Sequence, residues 1–139
     1  MTKFANPYLS HEHSLEILNL LYGYDSFLDS LTVIGDMGCG SGLDAQWWAT
    51  LETRDDPPEP RNYRVYAVDR TLNKIEYEIR AIENIRWIEG NFEEYGLLPE
   101  LLDLVWVHDS FQYVTSPLHT LSVWNKQMNN NGMLVMALP

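Results

Sequence analysis

The segment Asp36-Met37-Gly38-Cys39-Gly40-Ser41-Gly42 sets a carboxylate ahead of three alternate glycines, directly after the apolar run Leu31 to Ile34. Residues without a Cβ let the main chain turn sharply and lie against a ligand. A helical pattern opens at Leu43, and the unpaired N–H groups of a helix start point to the same place. The chemistry implied is binding of a nucleotide or nucleoside cofactor. Two further reactive positions close later apolar runs. Asp69 ends the run Arg64 to Val68, and a carboxylate there can accept from both hydroxyls of a ribose. His108-Asp109 ends the run that starts at Leu102, and either side chain can take a proton from an oxygen or nitrogen nucleophile. Tyr113, on the same segment, is a weaker candidate for that role.

The glycine spacing is G-x-G-x-G, not the G-x-G-x-x-G of a dinucleotide fingerprint. Asp36 favours a cationic amino-acid moiety beside the glycines, because a carboxylate raises the negative potential where two phosphates would lie. Asp69 alone suits NAD or an adenosyl group equally. Cys39 reads as a small residue filling the turn rather than as a nucleophile. His11-Glu12-His13 invites a metal reading, but alternate helical residues point about 200° apart and do not share a ligand, so no metal is assigned. Trp47-Trp48 reads as core plus partial surface rather than an aromatic cage.

Alternating strands and helices must bring these positions together. Leu31 to Ile34 is the first predicted strand, and the helix after the glycines carries Leu43, Trp47 and Leu51 at four-residue intervals. Arg64 to Val68 is the second strand. Leu72, Ile75, Ile79 and Ile82 then follow the spacing of an amphipathic helix. Ile85 to Ile88 is the third strand, and Leu102 to His108, nearly all apolar, suits a strand buried on both faces. Ser116-Pro117 opens a helix whose inner face is predicted to carry Leu118, Leu121, Trp124 and Met128. Asn129-Asn130-Asn131-Gly132 is a predicted turn and Met133 to Leu138 the fifth strand. Upstream, Ser10 caps a predicted helix reaching Tyr22, and Tyr24 to Ser30 is a second helical piece. Arg54 to Asn62 reads as a proline-containing surface insertion.

This alternation predicts an α/β fold: a doubly wound, mostly parallel sheet in the order 3-2-1-4-5 with helices on both faces, a three-layer sandwich. Residues 1-30 would form a helical cap on a domain spanning 31-139. The ligand should lie beyond the carboxyl ends of the strands, at the topological switch point.

Bulk properties narrow the partners. The chain has 139 residues, one cysteine and a formal net charge of −11. That charge repels phosphate backbones, and no cluster of cations offsets it, which argues against nucleic acid. No apolar run approaches the ~20 residues of a membrane span, and the N-terminus lacks the basic-then-apolar pattern of a signal peptide. A lone cysteine makes a reducing, cytoplasmic setting the expectation.

The motifs together resemble the class I S-adenosylmethionine-dependent methyltransferases, over roughly Leu31 to Leu138. Val33-Ile34-Gly35-Asp36-Met37-Gly38-Cys39-Gly40-Ser41-Gly42 and Val65-Tyr66-Ala67-Val68-Asp69-Arg70 are the specific ones; Gly90-Asn91-Phe92, Asp103 to Asp109 and Gly132-Met133-Leu134-Val135 support them. The resemblance implies S-adenosylmethionine as cofactor. Asp36, Gly38, Cys39, Gly40 and Gly42 would hold its methionine end, and Asp69 its ribose, with Arg70 beside the adenine. Asn91 stands where the family usually has an aspartate for the adenine amino group, and Phe92 would donate its backbone N–H to the ring. His108 would offer its carbonyl to the ammonium and face the methyl.

The resemblance leaves the acceptor open, with a small molecule expected. The N/D-P-P-Y/F/W pattern of amino-group methyltransferases is absent; His108-Asp109-Ser110-Phe111 stands there instead. The family also adds two strands as an antiparallel pair, which the residues after Leu138 do not supply. Met133 to Leu138 is therefore expected as an apolar edge, in a fragment, in a homodimer or in a chain completed by another polypeptide. The alternative function is a non-catalytic cofactor- or partner-binding module. An NAD-dependent oxidoreductase is a third reading, disfavoured by the glycine spacing.

Overall fold

The computed structural model describes residue 20 and residues 25–138. The predicted helix from Ser10 to Tyr22, with His11-Glu12-His13, falls outside these residues except for Leu20. The described elements run α1 (Asp25–Ser30), β1 (Val33–Met37), α2 (Leu43–Thr50), β2 (Arg64–Asp69), α3 (Tyr77–Arg80), β3 (Ile85–Glu89), β4 (Leu102–His108), a 3-10 turn (Phe111–Tyr113), α4 (Pro117–Gln127) and β5 (Met128–Ala137).

The five strands form one sheet in the order β3-β2-β1-β4-β5, and every neighbouring pair is parallel. This is the doubly wound architecture that the strand–helix alternation requires. The central strand β1 is buried throughout and β4 almost throughout, which explains their unbroken apolar character. Successive side chains point to opposite faces, so β1 sends Ile34 into one core and Val33 and Met37 into the other. The first core packs Trp48 of α2 on Trp106, ring centroids 5.7 Å apart. The second packs Trp124 of α4 against Val105, Val107 and Val68. β1 lies between β2 and β4, so the chain reverses its winding there and leaves a crevice at their carboxyl ends.

Four elements differ from the sequence reading. The Leu72 to Ile82 segment is helical only at Tyr77–Arg80, because Glu76 is extended and Thr71 and Asn73 hydrogen-bond each other. Leu72, Ile75, Ile79 and Ile82 nevertheless all join the first core. In α4 the buried residues are Thr120, Val123 and Trp124, while Leu118 is 83% exposed. Thr120 is turned inward by its hydroxyl, which donates to Glu93 Oε1 at 2.8 Å. In α2 the buried face is Ala45, Trp48 and Ala49, with Leu43 and Trp47 packed at its margin. β5 also starts earlier than expected, taking in the asparagine run, with a shift in register between Leu102 and Leu104 of β4.

Candidate functional site

A cavity of about 880 Å³ opens at the carboxyl ends of the strands, where the reversal of winding leaves room. The glycine turn forms its floor. Gly38 and Cys39 donate N–H groups to the carbonyl of Val68 at 2.8 and 3.0 Å, which ties the turn to β2. Gly38, Gly40 and Gly42 all have φ between 52° and 85°, the left-handed region that side chains disfavour. They do different work. A Cβ at Gly38 would meet Ser110 Cβ at 2.5 Å, and one at Gly42 would meet the Trp87 ring at 2.8 Å. One at Gly40 would meet no atom of the described residues within 4 Å. Gly40 is thus the position where bare backbone faces open space, while Gly42 serves helix–sheet packing and does not line the cavity.

Three carboxylates, from Asp36, Asp44 and Asp69, line one side. Asp36 is 1% exposed, and its Oδ2 has no hydrogen-bond partner among the described residues. Burial first, then the charges of Asp44 and Asp69, push its carboxyl well above the usual range, against the opposing N–H of Ala45. An orphaned carboxylate oxygen beside two more acids is chemically suited to a cation. The same burial and the charges of Asp36 and Asp69 raise the Cys39 thiol, which keeps it protonated and supports its reading as a turn filler. Asp69 accepts the Gly40 N–H at 2.8 Å.

At the end of β4, the His108 ring lies between two acids. Its Nδ1 is 2.7 Å from Asp44 Oδ2 and its Nε2 3.2 Å from Asp109 Oδ2. Burial disfavours the charged ring, but the hydrogen bond and charge of Asp44, then those of Asp109, outweigh it and raise the pKa. Asp109 adopts φ 53°, and its N–H donates to the Ala137 carbonyl at 2.9 Å. A non-glycine residue held in this region at a cavity wall marks stored strain.

The opposite wall comes from the segment after β3. Asn91 Oδ1 accepts the Glu93 N–H at 2.9 Å, so this side chain shapes the turn while lining the cavity. Phe92 stacks edge-on against Trp124 and accepts the indole N–H of Trp124 through its carbonyl. Arg70, 69% exposed, reaches within 3.8 Å of Glu93 Oε2.

The structure thus gathers Asp36, Gly38, Cys39, Gly40, Asp69, Arg70, Asn91, Phe92, His108, Asp109 and Tyr113 around one cavity. Sequence reasoning missed Asp44, Ser110 and Glu93. Asp44 looks like an ordinary acid in a first helical turn, and Glu93-Glu94 looks like a solvated pair. Ser110, beside the two residues singled out, donates its hydroxyl to the Met37 carbonyl at 2.8 Å.

Comparison with known proteins gives a consistent picture. The family model described as "Methyltransferase domain" matches residues 35–136. Among similar solved structures is the plantazolicin methyltransferase BpumL in complex with a pentazolic desmethylPZN analog and SAH. Its TM-score is 0.69 at 16% identity, over 94% of this chain and 48% of that one. Coclaurine N-methyltransferase, bound to N-methylheliamine and SAH, gives 0.68 at 18% identity over 98% and 38%. PKMT2 from Rickettsia typhi, in complex with AdoHcy, gives 0.61 at 20% identity over 78% and 21%. At these identities the likeness is one of fold, and the chain spans less than half the length of each of these structures. No curated protein matches it.

Proposed function

The chain belongs to the methyltransferase-domain family, and from that premise we propose that it binds S-adenosylmethionine in the cavity and directs its methyl group to a small-molecule acceptor. The observation that carries this reading is the buried oxygen of Asp36, without a partner among the described residues, beside the bare backbone of Gly40. A cofactor bearing an ammonium and a sulfonium meets both features: charge for the carboxylate, and room at the glycine.

In this reading Asp36 and the cavity-lining part of the turn, Gly38 to Ser41, hold the methionine end, with Gly42 seating the helix behind them. Asp69 accepts from the ribose hydroxyls while keeping Gly40 in place, and Arg70 lies beside the adenine. Asn91 offers the adenine amino group an oxygen already engaged by Glu93, so that contact is shared, and the Phe92 N–H donates to the ring. The His108 carbonyl accepts from the ammonium. The cofactor supplies an activated methyl on a leaving group that needs no proton. What remains for the protein is alignment of nucleophile, methyl and sulfur, and exclusion of water.

A small-molecule acceptor is supported by the net charge of −11 and by fold neighbours crystallised with a pentazolic desmethylPZN analog and with N-methylheliamine. A cytoplasmic setting is consistent with the buried free thiol of Cys39, and no helix among the described residues is long and apolar enough to cross a membrane. A second reading, a cofactor-binding module completed by a second copy or another chain, is favoured by β5. This strand forms the sheet edge with Met133 44% exposed.

Titration calorimetry tests the first reading. Saturable binding of S-adenosylmethionine and S-adenosylhomocysteine is expected, lost in Asp69→Ala and Gly40→Val; absence of heat with folded protein overturns it. Light scattering tests the second: a monomer that transfers methyl groups unaided excludes it.

A further inference from the structure

The two carboxylates around His108 are not equivalent. Asp44 Oδ2 accepts the indole N–H of Trp106 at 3.0 Å as well as contacting His108 Nδ1. An indole nitrogen is only a donor, and an ionised carboxylate only accepts, so an ionised Asp44 takes a hydrogen from both rings and calls for one on Nδ1. Asp44 is also the more enclosed acid, its side chain 14% exposed against 33% for Asp109. A neutral His108 therefore has its lone pair on Nε2, the nitrogen that faces Asp109. All three residues line the cavity.

We propose that Asp44 positions His108 as a general base, and that the methyl acceptor is a neutral hydroxyl or amine whose proton leaves as the methyl arrives. This deepens the methyl-transfer reading and rests on it. The acceptor oxygen or nitrogen forms the bond to the methyl carbon. The carbon–sulfur bond breaks with its electron pair going to sulfur, and the acceptor's proton passes to Nε2. The positive charge lost at sulfur ends on the imidazolium.

That product state suits the geometry, because an imidazolium can give one N–H to Asp44 and the other to Asp109. Asp36 on β1 and Asp69 on β2 add to the negative lining around it. The upward shift of His108 comes, against its burial, from Asp44 and Asp109. Thioethers and nucleophiles that are already anionic need no proton acceptor, so for them this arrangement has no purpose.

The test is a nitrogen-15 NMR titration of His108 in the full chain saturated with S-adenosylhomocysteine. The wild-type neutral ring should be the Nδ1–H tautomer. Asp44→Asn should move it toward Nε2–H and lower the imidazole pKa, Asp44→Glu should restore both, and Asp109→Asn should lower the pKa with the tautomer kept. A wild-type Nε2–H tautomer, or an Asp44→Asn ring unchanged in tautomer, overturns the proposal. In parallel, methyl-tritiated S-adenosylmethionine is incubated with a small-molecule extract of the source cells, and the bond formed in the labelled product is identified. An O-methyl or N-methyl product, formed about 10²–10⁴-fold more slowly by His108→Gln, supports it. A new S-methyl or C-methyl bond, or a His108→Gln rate equal to wild type, overturns it. Loss of S-adenosylhomocysteine binding by the wild-type chain would instead sink the methyl-transfer reading, and calorimetry reads that separately.

Discussion

The carboxylate of Asp69 accepts the main-chain N–H of Gly40 at 2.8 Å, so the end of β2 holds the turn that follows β1. Among the described residues its other oxygen makes only a long contact, 3.4 Å, to the Thr71 N–H. One side chain thus shapes the loop and presents an acceptor to the cavity. A hydrogen bond to an ionised group contributes about 1.5–3 kcal/mol. Asp69→Asn keeps an oxygen for Gly40 but loses the charge, and calorimetry should show S-adenosylmethionine binding weakened about 10–100-fold. Asp69→Ala loses the loop contact too, and denaturant titration should show it about 1–3 kcal/mol less stable.

Gly38 and Gly40 share a left-handed backbone but differ in surroundings, which separates stability from binding. At Gly38 an added methyl meets Ser110 Cβ at 2.5 Å on top of the unfavourable φ of 85°. Gly38→Ala should lower stability by about 2–4 kcal/mol, and Ser110→Gly in the same chain should recover part of it. Gly40→Ala carries only the backbone penalty, about 1–2 kcal/mol, because its Cβ meets none of the described residues within 4 Å. Its methyl fills ligand space, so a folded protein that no longer binds S-adenosylmethionine is expected. Thermal melts with and without ligand distinguish the two.

The strand order and the cavity floor were legible in the sequence because both depend on local pattern. Leu102 to His108 reads as buried since every residue but Asp103 is apolar or terminal, and the alternate glycines announce a turn that only glycine adopts. The α4 face was not legible. Leu118 is apolar and Thr120 polar, yet Thr120 is buried and Leu118 exposed, because Glu93, distant in sequence, supplies the partner that a buried hydroxyl needs. The helix expected from Leu72 has the correct core residues and the wrong backbone, since side-chain hydrogen bonds around Thr71 compete with helical ones. Asp44 escaped notice because its importance lies in Trp106 and His108, which touch it in space but stand 62 and 64 residues away in sequence.

Asp36 should oppose stability and serve binding. Its carboxyl is pushed upward by burial and by Asp44 and Asp69, so the folded state resists ionisation that the unfolded chain accepts. The resulting loss of stability is absent below the ordinary carboxylate range, grows as pH rises through it, and levels off above the folded value. Asp36→Asn should therefore stabilise the free protein at neutral pH, by about 1–3 kcal/mol, with little effect below about pH 4. The same variant should bind S-adenosylmethionine far more weakly. A melt series across pH, paired with calorimetry, checks both signs.

Glu93 behaves in the opposite sense. It is 6% exposed and accepts from the Thr115 N–H at 3.1 Å and the Thr120 hydroxyl at 2.8 Å, so it pins the segment between β4 and α4 to the wall after β3. Burial alone would raise its carboxyl, but the hydrogen bonds from Thr120, Thr115 and Ser116 prevail and hold it below the usual range. Its stabilisation is thus fully present above the ordinary carboxylate range and is lost as pH falls through the lower folded value. Glu93→Gln should cost about 1–3 kcal/mol at neutral pH, and the gap to wild type should narrow below about pH 4. Because Tyr113 and Asp109 lie on the segment it anchors, acceptor binding should weaken more than S-adenosylhomocysteine binding. Denaturant titrations at neutral and acid pH, with calorimetry at neutral pH, check that the anchor acts on one wall more than the other.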